Sequence, residues 1–345
     1  MRLHLPLLSL LLPSLLCSCG DDPEAGKGGS GAGVADDTGD GGADGAETWE
    51  PQTIAELAPW IDTLAGDVSQ DELTATIAEL AALETRYTGT DGNAAAQTIL
   101  VDRLEGYGLE VEVDPFEFGG SDTEATNIIA RLPGTTDPDV VWILSAHYDS
   151  TSASPQSLAP GADDNGSGVA AVLEAARLLS TTPHHYSLWF VLTGAEEQGS
   201  KGSDHMVGWL PDEDVDIRGV IAPDMIGYWP LESGDAFDIL GDTDSEHLVV
   251  DMAEVADLLG VSYKPWVDHD FCYGDDHSNF QESGFPAITP MDCVEAHNVP
   301  AAGESLPHYH QATDTLDTLH MPFTTRVSSV LVTTLSAWGQ PVDPE

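Results

Sequence analysis

The chain has 345 residues, with 60 Asp and Glu against 10 Lys and Arg, a formal net charge of −50. That balance repels phosphate backbones and anionic lipid, so no nucleic-acid partner is expected, while a cationic substrate end, a salty habitat or plain solubility stay compatible. The length suits one large domain or two small ones.

Residues 1–16, "MRLHLPLLSLLLPSLL", carry an arginine and then a leucine-rich run, the pattern of an export signal. The run is shorter than the about 20 apolar residues of a membrane span. It ends in "LCSC", which resembles the bacterial lipobox, with Ser18 before Cys19 and Leu16 three positions upstream of it. Cys19 is therefore the expected lipidation site, with simple cleavage and release as the alternative. Either route gives an exported protein, a cell-surface lipoprotein or a secreted one, touching membrane only through the lipid. Residues 20–47 are Gly, Asp and Ala with few apolar side chains, and are expected to form a disordered tether. The globular part is expected over 48–345. Its two cysteines, Cys272 and Cys293, are read as a disulfide pair in that oxidising context.

Helical spacing of Leu and Ile predicts a helix over 71–83, and a second over 93–107 is closed by Gly106 and Gly108. "LEVEVDPFEF" alternates as a strand does, and 126–132 is another strand. "VVWILSAH" (140–147) reads as a buried central strand, followed by a glycine-led helix over 166–180. "YSLWFVLT" (186–193) is the next buried strand, and "GSDHMVGWL" opens a helix. Strands over 219–224 and 285–291, a helix over 245–260 and a closing helix from Pro322 to Trp338 complete the series. The alternation predicts a single α/β domain with a mostly parallel central sheet flanked by helices, and a site at the carboxyl ends of its strands.

Those ends are rich in imidazole and carboxylate. They carry His147 and Asp149 in "HYD", Asp163 and Asp164 in "GADDNGSG", Glu196 and Glu197 in "GAEEQGSKGS" and Asp224 in "DMIGY", with His308, His310 and Asp314 in "HYHQATDT". Each stretch alone reads as a cap, a turn or a solvated corner. Together they make a hard-to-borderline metal site, suited to zinc and lacking the thiolates of a structural one. There is no GxSxG elbow.

These motifs in this order, with "DDHSNF" between the last two, resemble the secreted di-zinc aminopeptidases of the bacterial leucyl aminopeptidase and aminopeptidase Y type, from about Arg86 to the C-terminus. The resemblance implies a pair of zinc ions bridged by Asp164. His147 and Asp224 would complete one metal's ligands, and Glu197 and His310 the other's. Glu196 would be the general base, and Asp149 the carboxylate that fixes the His147 ring. His310 rather than His308 matches because it stands four residues before Asp314-Thr315. A cis Asp164–Asn165 peptide is also implied. A base beside the metals can take a proton from bound water and deliver it to the leaving amine. The expected partners are peptides with a free N-terminus, cut at the first peptide bond by a monomer. Asp276 and His277 are expected behind the ligands. Met225, Tyr273, Met291 and Tyr309 are expected around an apolar or aromatic first residue.

Three other readings compete. A single-zinc glutaminyl cyclase would suit "HYDS" and "DDH". A carboxypeptidase or dipeptidase relative would want basic residues for the substrate carboxylate, which are scarce here. A non-catalytic receptor-like ectodomain would have lost ligands, whereas all the motif positions are filled.

Overall fold

The computed structural model describes residues 49–119, 123–228, 236–268, 275–292 and 307–343. The leader, the tether, Cys19, Cys272, Tyr273 and Cys293 lie outside the described residues.

The chain enters through α1 (Ala58–Asp67), α2 (Gln70–Ala81) and α3 (Asp91–Gly106). Ser69 and Thr90 cap the second and third, accepting the amides of Glu72 and Asn93. Three strands follow, β1 (Glu110–Phe118), β2 (Thr123–Leu132) and β3 (Asp137–His147), and then α4 (Gly166–Leu179). Next come β4 (Tyr186–Thr193), α5 (Lys201–Trp209), β5 (Asp216–Ile221), β6 (Ala236–Gly241) and α6 (Glu246–Leu259). The last elements are β7 (Ser262–Val267), α7 (Asp276–Glu282), β8 (Ala287–Met291) and α8 (Met321–Gly339).

The eight strands form one sheet in the order β1-β2-β4-β3-β5-β8-β6-β7. Its centre, β4-β3-β5-β8, is parallel, and β6 and β7 pair parallel at one end. Antiparallel joints occur at β1/β2, β2/β4 and β8/β6. The expected α/β domain is thus present, with a mixed sheet that is parallel where the site is built.

Both faces of the central strands are buried, which explains their unbroken apolar runs. Leu144, Ala146, Leu188 and Phe190 pack in one core with α4 and α8, whereas Ile143, Trp189 and Val191 turn to the other face with Met206 of α5 and Phe280 of α7. α8 carries Ser and Thr through this core. Thr325, Ser329 and Thr333 donate their hydroxyls to carbonyls one turn back, so burial leaves these three hydroxyls satisfied. Among the described residues no helix is long and apolar enough to cross a membrane.

Candidate metal centre

The four parallel central strands end on one edge of the sheet. His147 is the last residue of β3 and is buried. Its Nε2 lies 3.4 Å from Asp164 Oδ1 and 3.5 Å from Asp224 Oδ2. Asp164 Oδ2 lies 3.3 Å from His310 Nε2, which is itself 3.0 Å from Glu197 Oε2. One carboxylate therefore faces two imidazoles, with one oxygen toward each. Three donor sets lie close enough to hold a metal among the described residues: His147–Asp164–Asp224 and Asp164–Glu197–His310, which share Asp164, and His147–Glu196–Glu197. Glu196 reaches the first with Oε2, 4.0 Å from His147 Nε2. His308 turns elsewhere, its Nδ1 to Thr313 Oγ1 at 3.0 Å and its ring edge-on to Tyr228.

The local sequence explains how these groups converge. Asp163 and Asp164 lead into α4, whose N-cap Asn165 accepts the Gly168 amide at 2.9 Å and donates to Pro223 O at 2.9 Å. That second bond ties the Asp164 turn to the segment just before Asp224. A Cβ on Gly168 would come within 2.3 Å of Asn165 Oδ1, so this close approach requires glycine. The Asp164–Asn165 peptide is cis. Asp314 accepts the amides of Asp163 and Asp164 at 2.9 and 3.0 Å, joining the His310 segment to the same turn. Arg86, fully buried, donates to the carbonyls of Tyr148, Pro160 and Gly161, so one guanidinium braces the exit of β3 against the approach to Asp164. Arg86 and Asp314 were not singled out for these roles from the sequence, because both act on backbone far away in the chain. Asp224 lies three residues beyond β5, bridged to Met291 at the end of β8.

The two glutamates sit on a 3-10 turn, Glu196–Gln198, entered through Ala195 at φ 57° and left toward Ser200 at φ 53°. Met225 and His310 also have positive φ, 48° and 54°. Four non-glycine residues in the left-handed region thus border the site, where such strain commonly collects. The turn is held by Asp149, whose carboxylate accepts the Glu196 amide at 3.0 Å and the Glu197 amide at 3.2 Å.

Asp149 also faces the His147 ring. The His147 Nδ1 is 3.2 Å from the Asp149 carbonyl and 3.7 Å from its carboxylate, which is engaged by the two amides. Backbone and side chain of Asp149 both face the ring, and the side chain orients the glutamates as well.

Asp276 accepts from Thr193 Oγ1 at the end of β4, and His277 is buried beside it in α7. Both lie behind the donors. Asp275, overlooked in the same doublet, lines the cleft itself. A cleft of about 230 Å³ is lined by Asp164, Glu196, Glu197, Asp224, Asp275 and His310, with Met225 and Tyr309 as its large uncharged members. Met291 is not among the lining residues. It is 1 % exposed, held in the sheet core at the end of β8, which corrects its expected place in the pocket.

The electrostatics call for cations. Burial, opposed by His147 and reinforced by Asp276, Asp224 and Asp149, pushes the Glu196 carboxyl up to about 10. Burial likewise raises Glu197, Asp224 and Asp276, and raises Asp314 to about 6. Burial alone would lower the His147 imidazole, but Asp224, Asp149 and Asp164 outweigh it and hold it well above its ordinary value. His147 Nε2, Glu197 Oε1 and Asp224 Oδ1 are buried without a hydrogen-bond partner. Orphaned donor-type atoms in two adjacent sets, nitrogen and oxygen without sulfur, fit divalent zinc.

A pH dependence follows. With raised pKa values the folded chain holds more protons than the unfolded one, so without metal its stability falls as pH rises from about 4 toward 10. In chelator the melting temperature should drop by several degrees between about pH 5 and 9, and added zinc should flatten the slope. A chelated chain whose Tm is level or rises across that range would contradict the reading.

The sequence profile of peptidase family M28 matches residues 127–335, which include all five donors and Glu196. The chain belongs to peptidase family M28. A relative described as a probable zinc metalloprotease of Pyrenophora tritici-repentis is 25% identical over 85% of this chain and 72% of its own length. Another probable zinc metalloprotease from the same organism is 27% identical over 82% of this chain and 77% of its own. Among solved structures, the Legionella pneumophila LapA aminopeptidase superposes with a TM-score of 0.69 at 19% identity, covering 86% of this chain and 79% of its own. The zinc aminopeptidase BSAP of Bacillus subtilis gives 0.67 at 16%, covering 79% of this chain and 96% of its own. A glutaminyl cyclase of Fimbriiglobus ruber gives 0.65 at 20%, with the same coverages. These likenesses establish the M28 fold, which aminopeptidases and cyclases share.

Proposed function

We propose that this M28 chain is a di-zinc aminopeptidase that removes the first residue of peptides with a free N-terminus. One observation carries the reading: Asp164 presents Oδ1 to His147 at 3.4 Å and Oδ2 to His310 at 3.3 Å, so a single carboxylate belongs to two donor sets. A single-zinc cyclase needs only one such set. His147, Asp164 and Asp224 would hold one ion, and Asp164, Glu197 and His310 the other. Bound zinc supplies a Lewis acid for the scissile carbonyl and lowers the pKa of water.

The chain's own residues do the rest. Glu196 stands outside the two sets that share Asp164, belonging only to the third with His147 and Glu197, and Ser200 donates to its Oε1 at 2.9 Å. That bond leaves Oε2 toward the reacting centre, where it accepts a proton from water and returns it to the leaving amine. The Asp149 carboxylate fixes the turn on which this depends. Met225 and Tyr309 offer apolar and aromatic surface to the first residue, while the surrounding carboxylates attract its amino group.

A panel of aminoacyl p-nitroanilides with N-acetylated controls, together with metal analysis, tests the reading. Leucyl and phenylalanyl substrates should be hydrolysed, blocked ones should be inert, and zinc should approach two per chain. Cleavage of blocked substrates would overturn the exopeptidase assignment. One zinc per chain with cyclisation of N-terminal glutamine would favour the cyclase.

A further inference from the structure

A groove of about 660 Å³ adjoins the cleft, sharing Gly199 and Asp275 with it. Its wall continues through Ser200, Asp242, Asn279 and Glu282. Ser200 indicates which side of the reaction this is. Its hydroxyl is bonded to Glu196 Oε1, so the groove lies along the carboxylate that must protonate the leaving amine. In aminopeptidase chemistry the leaving amine belongs to the second residue of the peptide.

The wall chemistry is one-sided. The amide donors are turned inward: Asn279 Nδ2 serves Ser200 O and Ser203 Oγ, and Gln281 Nε2 serves Ala287 O. The carboxylates are less committed. Asp242 uses Oδ1 on the Ser245 amide, Glu282 is exposed, and Asp275 Oδ2 is buried with no hydrogen-bond partner. No Lys or Arg lines the groove among the described residues, and Lys201, whose Nζ comes near Gly199, is paired with Asp204 at 3.8 Å.

We infer that this groove binds the cationic side chain of the residue after the scissile bond, so that the enzyme favours peptides with Lys or Arg in second place. The inference rests on the aminopeptidase reading and adds a substrate class to it. Asp275 anchors the ammonium or guanidinium at the cleft mouth, and Asp242 and Glu282 hold it farther out. Because this charge sits away from the reacting carbonyl, it acts on ground and transition state alike and appears in KM.

The test compares leucyl dipeptide amides with Lys, Arg, Leu or Glu in second place, alongside leucyl p-nitroanilide. Expected is a kcat/KM for Lys and Arg about tenfold above Leu, as two or three partly exposed charge pairs would give. Glu should fall below Leu, and the spread should shrink in about 0.5 M salt. The double variant Asp242→Asn, Glu282→Gln keeps the Asp275 anchor, so it should cut the preference about threefold while leucyl p-nitroanilide turns over unchanged. Failure to cleave the p-nitroanilide would reject the aminopeptidase reading itself. Cleavage of it with equal rates for all four dipeptide amides, or a Lys preference untouched by the double variant, would reject the groove assignment alone.

Discussion

Glu196→Gln should lower kcat by about 10²–10⁴-fold with metal content unchanged, the range expected when a general acid–base is removed. Glutamine keeps the side-chain length, the Ser200 hydrogen bond at 2.9 Å and the backbone tie to Asp149 at 3.0 Å, so it changes little except proton transfer. The neighbouring Glu197→Gln should behave differently. Glu197 is 3.0 Å from His310 and has a buried, unpartnered Oε1, so its loss should appear first as weaker zinc binding. Steady-state kinetics and elemental analysis on the two variants give the contrast. A Glu196→Gln enzyme with near-normal kcat would mean that the proton moves elsewhere.

Asp164→Ala should remove zinc from both donor sets that share it and, on the proposed di-zinc reading, reduce activity by at least about 10³-fold. Loss of either terminal ligand, Asp224 or Glu197, should affect one set more than the other. Misfolding is distinguishable from this outcome. Asp164 lies among raised carboxyls, so in chelator the variant should melt no lower than the parent, while the Tm increase on adding zinc disappears. Two tightly bound zinc ions in Asp164→Ala would refute the shared-carboxylate arrangement.

The fold was legible where packing imposes a period. β3 and β4 read as continuous apolar runs because helices cover both sheet faces, and α2, α3 and α6 showed helical spacing closed by caps or glycine. β7 did not show, because "SYKPWV" lies at the sheet end with mixed exposure and a proline, which removes alternation as a signal. β6 was hidden as a six-residue run, and α1 because it buries only Ile61 and Leu64. Antiparallel pairing of β6 with β8 is a tertiary choice that no local pattern carries.

The donors themselves were visible as residue types at strand ends. What escaped was side chain acting on distant backbone, as with Asp149 on the glutamate amides, Asp314 on the Asp163 and Asp164 amides, and Arg86 on three carbonyls. Such contacts leave no spacing to read. Asp275 was missed for a simpler reason: in the doublet with Asp276 one acid faces the cleft and the other Thr193, and only the helix start between them separates the two.

The 3-10 turn at Glu196–Gln198 has a consequence for how this site tolerates change. A strand would send adjacent side chains to opposite faces, but three residues per turn sets them about 120° apart, so both can reach a single cavity from different bearings. The proposed ligand and the proposed base are thus distinguished by angular position rather than by chemistry. A one-residue insertion or deletion here would rotate one carboxylate out of the cavity and move the other into its neighbour's bearing. Residue count at this corner is therefore as strict a specification of the reaction as residue identity.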